Sequence, residues 1–252
     1  MLTEARYRQI LRCLEEKGIA KVTELADWLG ASESTVRRDL IDLEAQNKLK
    51  RIHGGAVSLN PKGLEPGIEE KSNKNLEQKE QVAKLAARQL RDGDSIYLDA
   101  GTTTLAMIPF IKANNITVVT NGLSHIEALV NNGQIESYLL GGKMKMRTHA
   151  VVGSMALRNI ENYRFDKCFL GANGIHPDMG YTTPDPEEAL IKRRAHELSG
   201  QTFVLADSSK IGEITFTKLF DLQEASLITE SVPDRFREAI SRKTNMIEEH
   251  KR

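Results

Sequence analysis

Apolar residues recur along the first fifty positions with the spacing of short helices. Tyr7, Ile10, Leu11 and Leu14 fall at i, i+3, i+4 and i+7, which predicts an amphipathic helix over residues 3–17, capped by Thr3 and ended by Gly18. Thr23 is placed to cap a second helix in ELADWLG, with Leu25, Trp28 and Leu29 as its apolar side and Gly30 as its stop. Ser32 is placed to cap a third helix, in which Val36, Leu40 and Leu43 form the core stripe. LKRIHGGAV then reads as two strand-like runs around a Gly-Gly turn. Residues 58–75 are rich in Pro, Gly, Asn and charge, show no apolar period, and read as a linker.

From residue 76 the pattern alternates. LEQKEQVAKLAARQL, TTLAMIPFI, HIEALV, PEEALIKRRAHEL and PDRFREAI read as helices; SIYLDAG, TVVTNG, ESYLLGG, DKCFLGANG, TFVLADSSK and SLIT read as strands. Such alternation implies a doubly wound, mainly parallel sheet. The fold class is therefore α/β, with a winged helix-turn-helix over 1–57, the linker over 58–75 and a larger domain over 76–252. Met144 and Met146 alternate with Lys143, Lys145 and Arg147 and read as core positions of a half-buried strand, and the final EEHKR reads as a frayed end.

Composition narrows the function. The 35 basic and 35 acidic residues cancel, which argues against a protein that coats nucleic acid or membrane indiscriminately. No apolar run approaches about 18 residues and the first segment, MLTEARYRQI, is charged, so the expected location is the cytoplasm, with no membrane partner. Cys13 and Cys168 are far apart without metal-like spacing and read as buried thiols; no metal site and no cofactor is expected.

Charge placement matters more than its sum. The exposed N-terminal face of the third helix carries Ser34, Thr35, Arg37 and Arg38, suited to a DNA major groove, where arginine bonds guanine bidentately and hydroxyls hold phosphates. The hairpin presents Lys50, Arg51 and His53 beside it, as a wing along the backbone of double-stranded DNA.

In the larger domain, ligands are expected beyond the carboxyl ends of the strands. The loops there hold Asp99, Gly101, Thr102, Thr103 and Thr104; Thr120, Asn121 and Gly122; Gly142 and Lys143; Asn173; and Asp207 and Lys210. Glycine beside three threonines at a helix start offers N–H groups and hydroxyls to a phosphate. Lys143, Lys192 and Lys210 could add cations, while Asp99, Asn173 and Asp207 could take sugar hydroxyls.

The stretch VTELADWLGASESTVRRDLIDLEAQNKLKRIHGGAV resembles the DNA-binding signature of the DeoR family of bacterial repressors, and LDAGTTT, TNG, LLGG, LGANG, EEALIKR and ADSSK resemble that family's sensor domain. The resemblance implies operator contacts by Ser34, Thr35, Arg37 and Arg38, a homodimer or homotetramer, and a sensor related in fold to ribose 5-phosphate isomerase. Within the family, NYRFDKCFLGANGIH and GYTTPDPEEALIKR, with MLTEAR and ASESTVRRDL, most resemble the fructose-operon repressors, which implies fructose 1-phosphate as the effector. Loop residues such as Arg147, His149 and Arg164 are candidates for choosing the sugar.

The alternative is an isomerase with an accessory N-terminal domain. Isomerisation requires a positioned carboxylate base. The enzyme's loop reads Asp-Gly-Ala-Asp-Glu where this chain has Leu170-Gly171-Ala172-Asn173-Gly174, so no enzyme activity is expected.

Overall fold

The computed structural model describes residues 3–17, 19–46, 48–52, 54–58, 67–133 and 135–249, and the chain divides into two compact units, Met1–Glu65 and Pro66–Arg252. In the first unit the elements are α1 (Thr3–Lys17), β1 (Ile19–Lys21), α2 (Val22–Leu29), α3 (Glu33–Ala45), β2 (Leu49–Ile52) and β3 (Gly55–Ser58). Ile10, Leu14, Leu25, Leu29, Val36, Leu40, Leu43 and Leu49 close one core. Ser32 caps α3 as expected, accepting the Thr35 N–H at 3.2 Å. Gly30 ends α2 in the left-handed region at φ 58°, where a side chain is disfavoured.

Four local expectations are corrected. Thr3 lies within the first turn of α1, and α2 starts at Val22 with Lys21 as its N-cap, so Thr23 is inside the helix. Trp28 is 55% exposed, because Val22, Leu25, Ala26 and Leu29 already form the stripe that meets the core. The wing is a three-stranded sheet in the order β1-β3-β2, β1 having been too short to show a period. Gly18, expected to stop α1, lies outside the described residues.

The second unit opens with α4 (Ile68–Ser72), inside the stretch read as linker, followed by α5 (Leu76–Ala87), β4 (Ser95–Leu98), α6 (Thr102–Met107), β5 (Thr117–Thr120), α7 (His125–Asn132), β6 (Glu136–Leu139), β7 (Lys143–Lys145), β8 (Ala150–Val152) and α8 (Ser154–Ile160). It continues with β9 (Phe165–Gly171), β10 (Gly174–His176), β11 (Gly180–Thr183), α9 (Pro186–Glu197), β12 (Ser199–Leu205), β13 (Thr217–Phe220), β14 (Ser226–Ile228), α10 (Asp234–Ser241) and β15 (Met246–Ile247).

Seven strands pair in parallel in the order β15-β14-β12-β9-β4-β5-β6. Alternating side chains feed two cores. Tyr97, Val119, Cys168, Leu170 and Val204 pack with Ala156, Ile160, Ala189 and Ile191 from α8 and α9. Ile96, Leu98, Val118, Phe169 and Phe203 pack with Val82, Ala83, Met107 and Leu129 from α5, α6 and α7. This is the doubly wound, mainly parallel α/β sheet expected.

The antiparallel sheet β10-β11-β13 was not foreseen, and of the β7-β8 hairpin only the first strand was expected. Met144 and Met146 are 47% and 72% exposed, so the reading of them as core is wrong; nothing among the described residues covers that face of the hairpin. The tail is tied down at Glu248, whose carboxylate meets Arg237 at 2.8 Å and accepts the Val232 N–H at 2.9 Å; residues 250–252 lie outside the description. Cys13 and Cys168 are buried and form no disulfide, and burial pushes the Cys168 thiol well up.

Candidate functional site

In the first unit α3 presents its N-terminal turns outward. Ser34, Arg37 and Arg38 are exposed and Thr35 half-buried. The Ser34 and Thr35 hydroxyls both lie 2.9 Å from the Ser32 hydroxyl, and Arg37 reaches Glu33 at 2.8 Å. That exposed pair adds little stability, so the guanidinium is available to another partner at small cost. On β2, Lys50 is exposed, while Arg51 is clamped to Glu44 of α3 by its backbone N–H at 2.7 Å and its Nε at 2.8 Å. His53 lies outside the described residues.

Sequence reading missed what aims α3. Asp39 falls on the core stripe, three residues after Val36, and is 3% exposed; a buried carboxylate needs a partner. Arg6 of α1 supplies it, with Nε to Oδ2 at 2.7 Å and Nη2 to Oδ1 at 3.0 Å. Beside it the Tyr7 hydroxyl donates to Asp42 at 2.7 Å, which pushes the phenol up to about 12. The buried Asp39 was itself the signal.

In the second unit the predicted loops follow β12, β9, β4, β5 and β6, five strands adjacent in the sheet. The chain winds from β4 through β5 to β6 on one side and returns through β9 to β12 on the other, so the switch point lies between β4 and β9. Asp99, 2% exposed, sits there. Its carboxylate accepts the Gly171 N–H at 3.0 Å and pairs with the buried Lys192 of α9. Lys192 thus meets Asp99 directly, a contact between residues 93 apart.

Much of the polar set is occupied in holding the loops. Thr104 Oγ1 donates to the Asp99 carbonyl at 2.6 Å and accepts the Gly101 N–H at 3.0 Å. Thr120 donates to the Leu98 carbonyl at 2.6 Å and accepts the Gly122 N–H at 3.0 Å. Asn121 accepts the Ala100 N–H at 3.0 Å and donates to the Val151 carbonyl at 3.1 Å, tying the β4 and β5 loops. Gly122 is packed against the His125 ring and Ala100 so closely that a Cβ there would collide with both.

Other predicted residues face elsewhere. Asn173 accepts from Thr183 at 3.2 Å, Lys143 meets Glu187 at 3.2 Å, and Gly142 packs against Val152 and Ala156. Asp207 accepts the Asn75 side-chain amide at 2.9 Å and the Ser209 N–H at 3.1 Å. Thr102 and Thr103, at the start of α6, and the Lys210 ammonium make no hydrogen bond or ion pair to side chains among the described residues.

Behind this edge His125 is 1% exposed, with Nε2 3.3 Å from Thr104 Oγ1 and Nδ1 unpartnered. Burial lowers it to about 4, so the ring is neutral at physiological pH. Glu188, also buried, accepts from Thr148 at 2.7 Å and faces Lys145 at 3.5 Å. Among the described residues no group of His, Cys, Asp and Glu is placed to hold a metal, and no helix is long and apolar enough to cross a membrane.

Comparison with known proteins agrees with this two-part layout. Residues 6–62 match the family described as DeoR-like helix-turn-helix domain, and residues 74–231 match the DeoR C terminal sensor domain. The chain is 50% identical over 230 residues to the uncharacterized HTH-type transcriptional regulator FruR of Bacillus subtilis strain 168, covering 91% of each. It is 34% identical over 252 residues to the lactose phosphotransferase system repressor of Streptococcus mutans serotype c, covering 98% of this chain and all of that one. Among solved structures, ribose 5-phosphate isomerase A of Methanocaldococcus jannaschii overlaps 55% of each chain at a TM-score of 0.41 and 17% identity, too low to transfer any activity.

Proposed function

The chain belongs to the DeoR family, and from that premise we propose that it is a repressor of a sugar-utilisation operon, released from operator DNA when a phosphorylated sugar binds the carboxyl edge of its parallel sheet. The N-terminal turns of α3 enter the major groove, where Arg37 and Arg38 read bases and Ser34 and Thr35 hold phosphates. Lys50, Arg51 and His53 add salt-dependent affinity from the wing. The protein acts in the cytoplasm as a homodimer or homotetramer, whose paired heads match two half-sites.

One observation carries the sensor reading: the edge offers donors, and its buried carboxylates are already engaged. Asp99 is held by Lys192 and Gly171, Asp207 by Asn75 and Ser209, and Glu188 by Thr148. Proton abstraction needs a base within reach of the substrate, whereas anion capture needs N–H groups, hydroxyls and a cation, here Thr102, Thr103 and Lys210. The site is a receptor and not a catalyst. The runs NYRFDKCFLGANGIH and GYTTPDPEEALIKR favour fructose 1-phosphate as the sugar.

A gel-shift titration tests this, using a DNA fragment selected by the full-length protein from a random pool. Arg37→Ala should lose about 1–3 kcal/mol of operator affinity. Fructose 1-phosphate should release the wild type. Release by no sugar phosphate, or turnover of ribose 5-phosphate, refutes the proposal.

A further inference from the structure

A hollow of about 430 Å³ lies between the segment 68–73 and Leu105 of α6 with the loops at 124 and 149. One wall is Ile68, Glu69, Ser72 and Asn73; the other is Leu105, Ser124 and His149. Its volume suits a small molecule. Five of these seven residues carry hydrogen-bonding side chains, the only charged one is a carboxylate, and none is a lysine or arginine. Such a lining repels a phosphate and suits neutral hydroxyls, with Ile68 and Leu105 against C–H groups. Leu105 lies three residues after Thr102 on α6, hence on the same helix face and about 5–6 Å away.

His149 is held there under strain. Its φ is 53°, in the left-handed region, and the surroundings impose it: the Leu123 N–H donates to its carbonyl at 2.9 Å and Nδ1 lies 3.0 Å from the Ser124 hydroxyl. Nε2 makes no hydrogen bond among the described residues.

The opposite wall is a strap. The Ile68 N–H donates to the Arg147 carbonyl at 2.9 Å, two residues before His149. At the other end the buried Lys79 donates to the Lys71 carbonyl, and the Asn75 amide reaches Asp207 at 2.9 Å and Ser209 at 3.2 Å, on the loop that bears Lys210. One short segment therefore touches loops from both halves of the sheet edge. It is also the first described element after the DNA-binding unit.

We propose that α4 and Asn73 form the sugar-hydroxyl subsite of the effector site, with Ser72 and Asn73 holding hydroxyls from one side and Ser124 and His149 from the other. Contact with the effector is thereby made by the segment that leads to the DNA-binding unit, so occupancy acts on the strap itself. This rests on the sugar-phosphate reading above.

The test is a gel shift with full-length protein, the selected operator fragment, and fructose 1-phosphate, glucose 6-phosphate and inorganic phosphate as probes. In Ser72→Ala/Asn73→Ala the sugar-phosphate concentration for half-release should rise about tenfold, the ratio between the two sugars should change, and effector-free operator affinity should stay put. His149→Asn, which tolerates the left-handed backbone, should give a similar shift and guards against a folding artefact in the double variant. If both variants respond to both sugars as the wild type does while Lys210→Ala is unresponsive, the subsite is refuted and the effector reading stands. If the wild type answers neither sugar, both fall.

Discussion

The two edges of the seven-stranded sheet use the same chemistry to different ends. At the amino edge Asp94 pairs with Lys167 at 2.5 Å, and Asp166 accepts the Ser95 N–H and hydroxyl, each at 2.8 Å. Those hydrogen bonds hold the Asp166 carboxyl below its usual range. At the carboxyl edge Asp99 pairs with Lys192, and that edge also carries Thr102, Thr103 and Lys210, whose side chains bond no other side chain among the described residues, a neutral buried histidine, and a hollow walled on one side by α4. Both edges are cross-linked by a buried aspartate-lysine pair. On the proposed reading only the carboxyl edge takes a ligand.

The largest expected effect tests that contrast directly. Lys167→Met and Lys192→Met each leave a buried aspartate unpaired and should cost about 3–5 kcal/mol in denaturant unfolding. At a temperature where both stay folded, only Lys192→Met should alter release by sugar phosphate. An equal response from the two variants breaks the comparison.

Next in size is the pH dependence due to His125. Its folded value of about 4 lies below its ordinary 6.5, so the unfolded chain takes up the proton first. Stability owed to the neutral ring is intact above pH 6.5 and is lost as pH falls from 6.5 to about 4, approaching roughly 3 kcal/mol. In His125→Gln the difference between unfolding free energies at the two ends of this window should shrink; an unchanged slope assigns the acid sensitivity elsewhere.

Smaller again, Lys210→Ala should weaken the effector response by about 1–3 kcal/mol of coupling while melting temperature and effector-free operator affinity hold. At the silent edge Asp166→Asn should lose about 1 kcal/mol of stability for its altered bonds to Ser95, with the response unchanged. A shifted response in Asp166→Asn erases the distinction between the edges.

How much of this was legible in the sequence follows from which forces leave a local trace. Apolar runs with periods of 2 and 3.6 disclosed six of the seven parallel strands and the long helices, most of which bury a face, although β6 at the sheet edge leaves Glu136–Leu139 exposed. Elements of three to five residues, such as β1, α4 and β10, carry too few positions to show a period. The loops beyond the strands were read from glycine, threonine and asparagine, but not that Thr104, Thr120 and Asn121 are engaged in holding one another's loops. Partners such as Asp99 and Lys192 are 93 residues apart, and only the fold brings them together. Trp28 and Met146 were assigned by spacing alone, which says where a face points and not whether anything covers it.

Linkage tests the central claim most directly. If a sugar phosphate and operator DNA compete through two states of one protein, the factor by which the effector weakens operator binding equals the factor by which operator weakens effector binding. Fluorescence anisotropy for operator and calorimetry for fructose 1-phosphate, each with and without the other ligand, should return one common factor of about 5 to 150. A factor of one in either direction, with both ligands bound, would contradict the account.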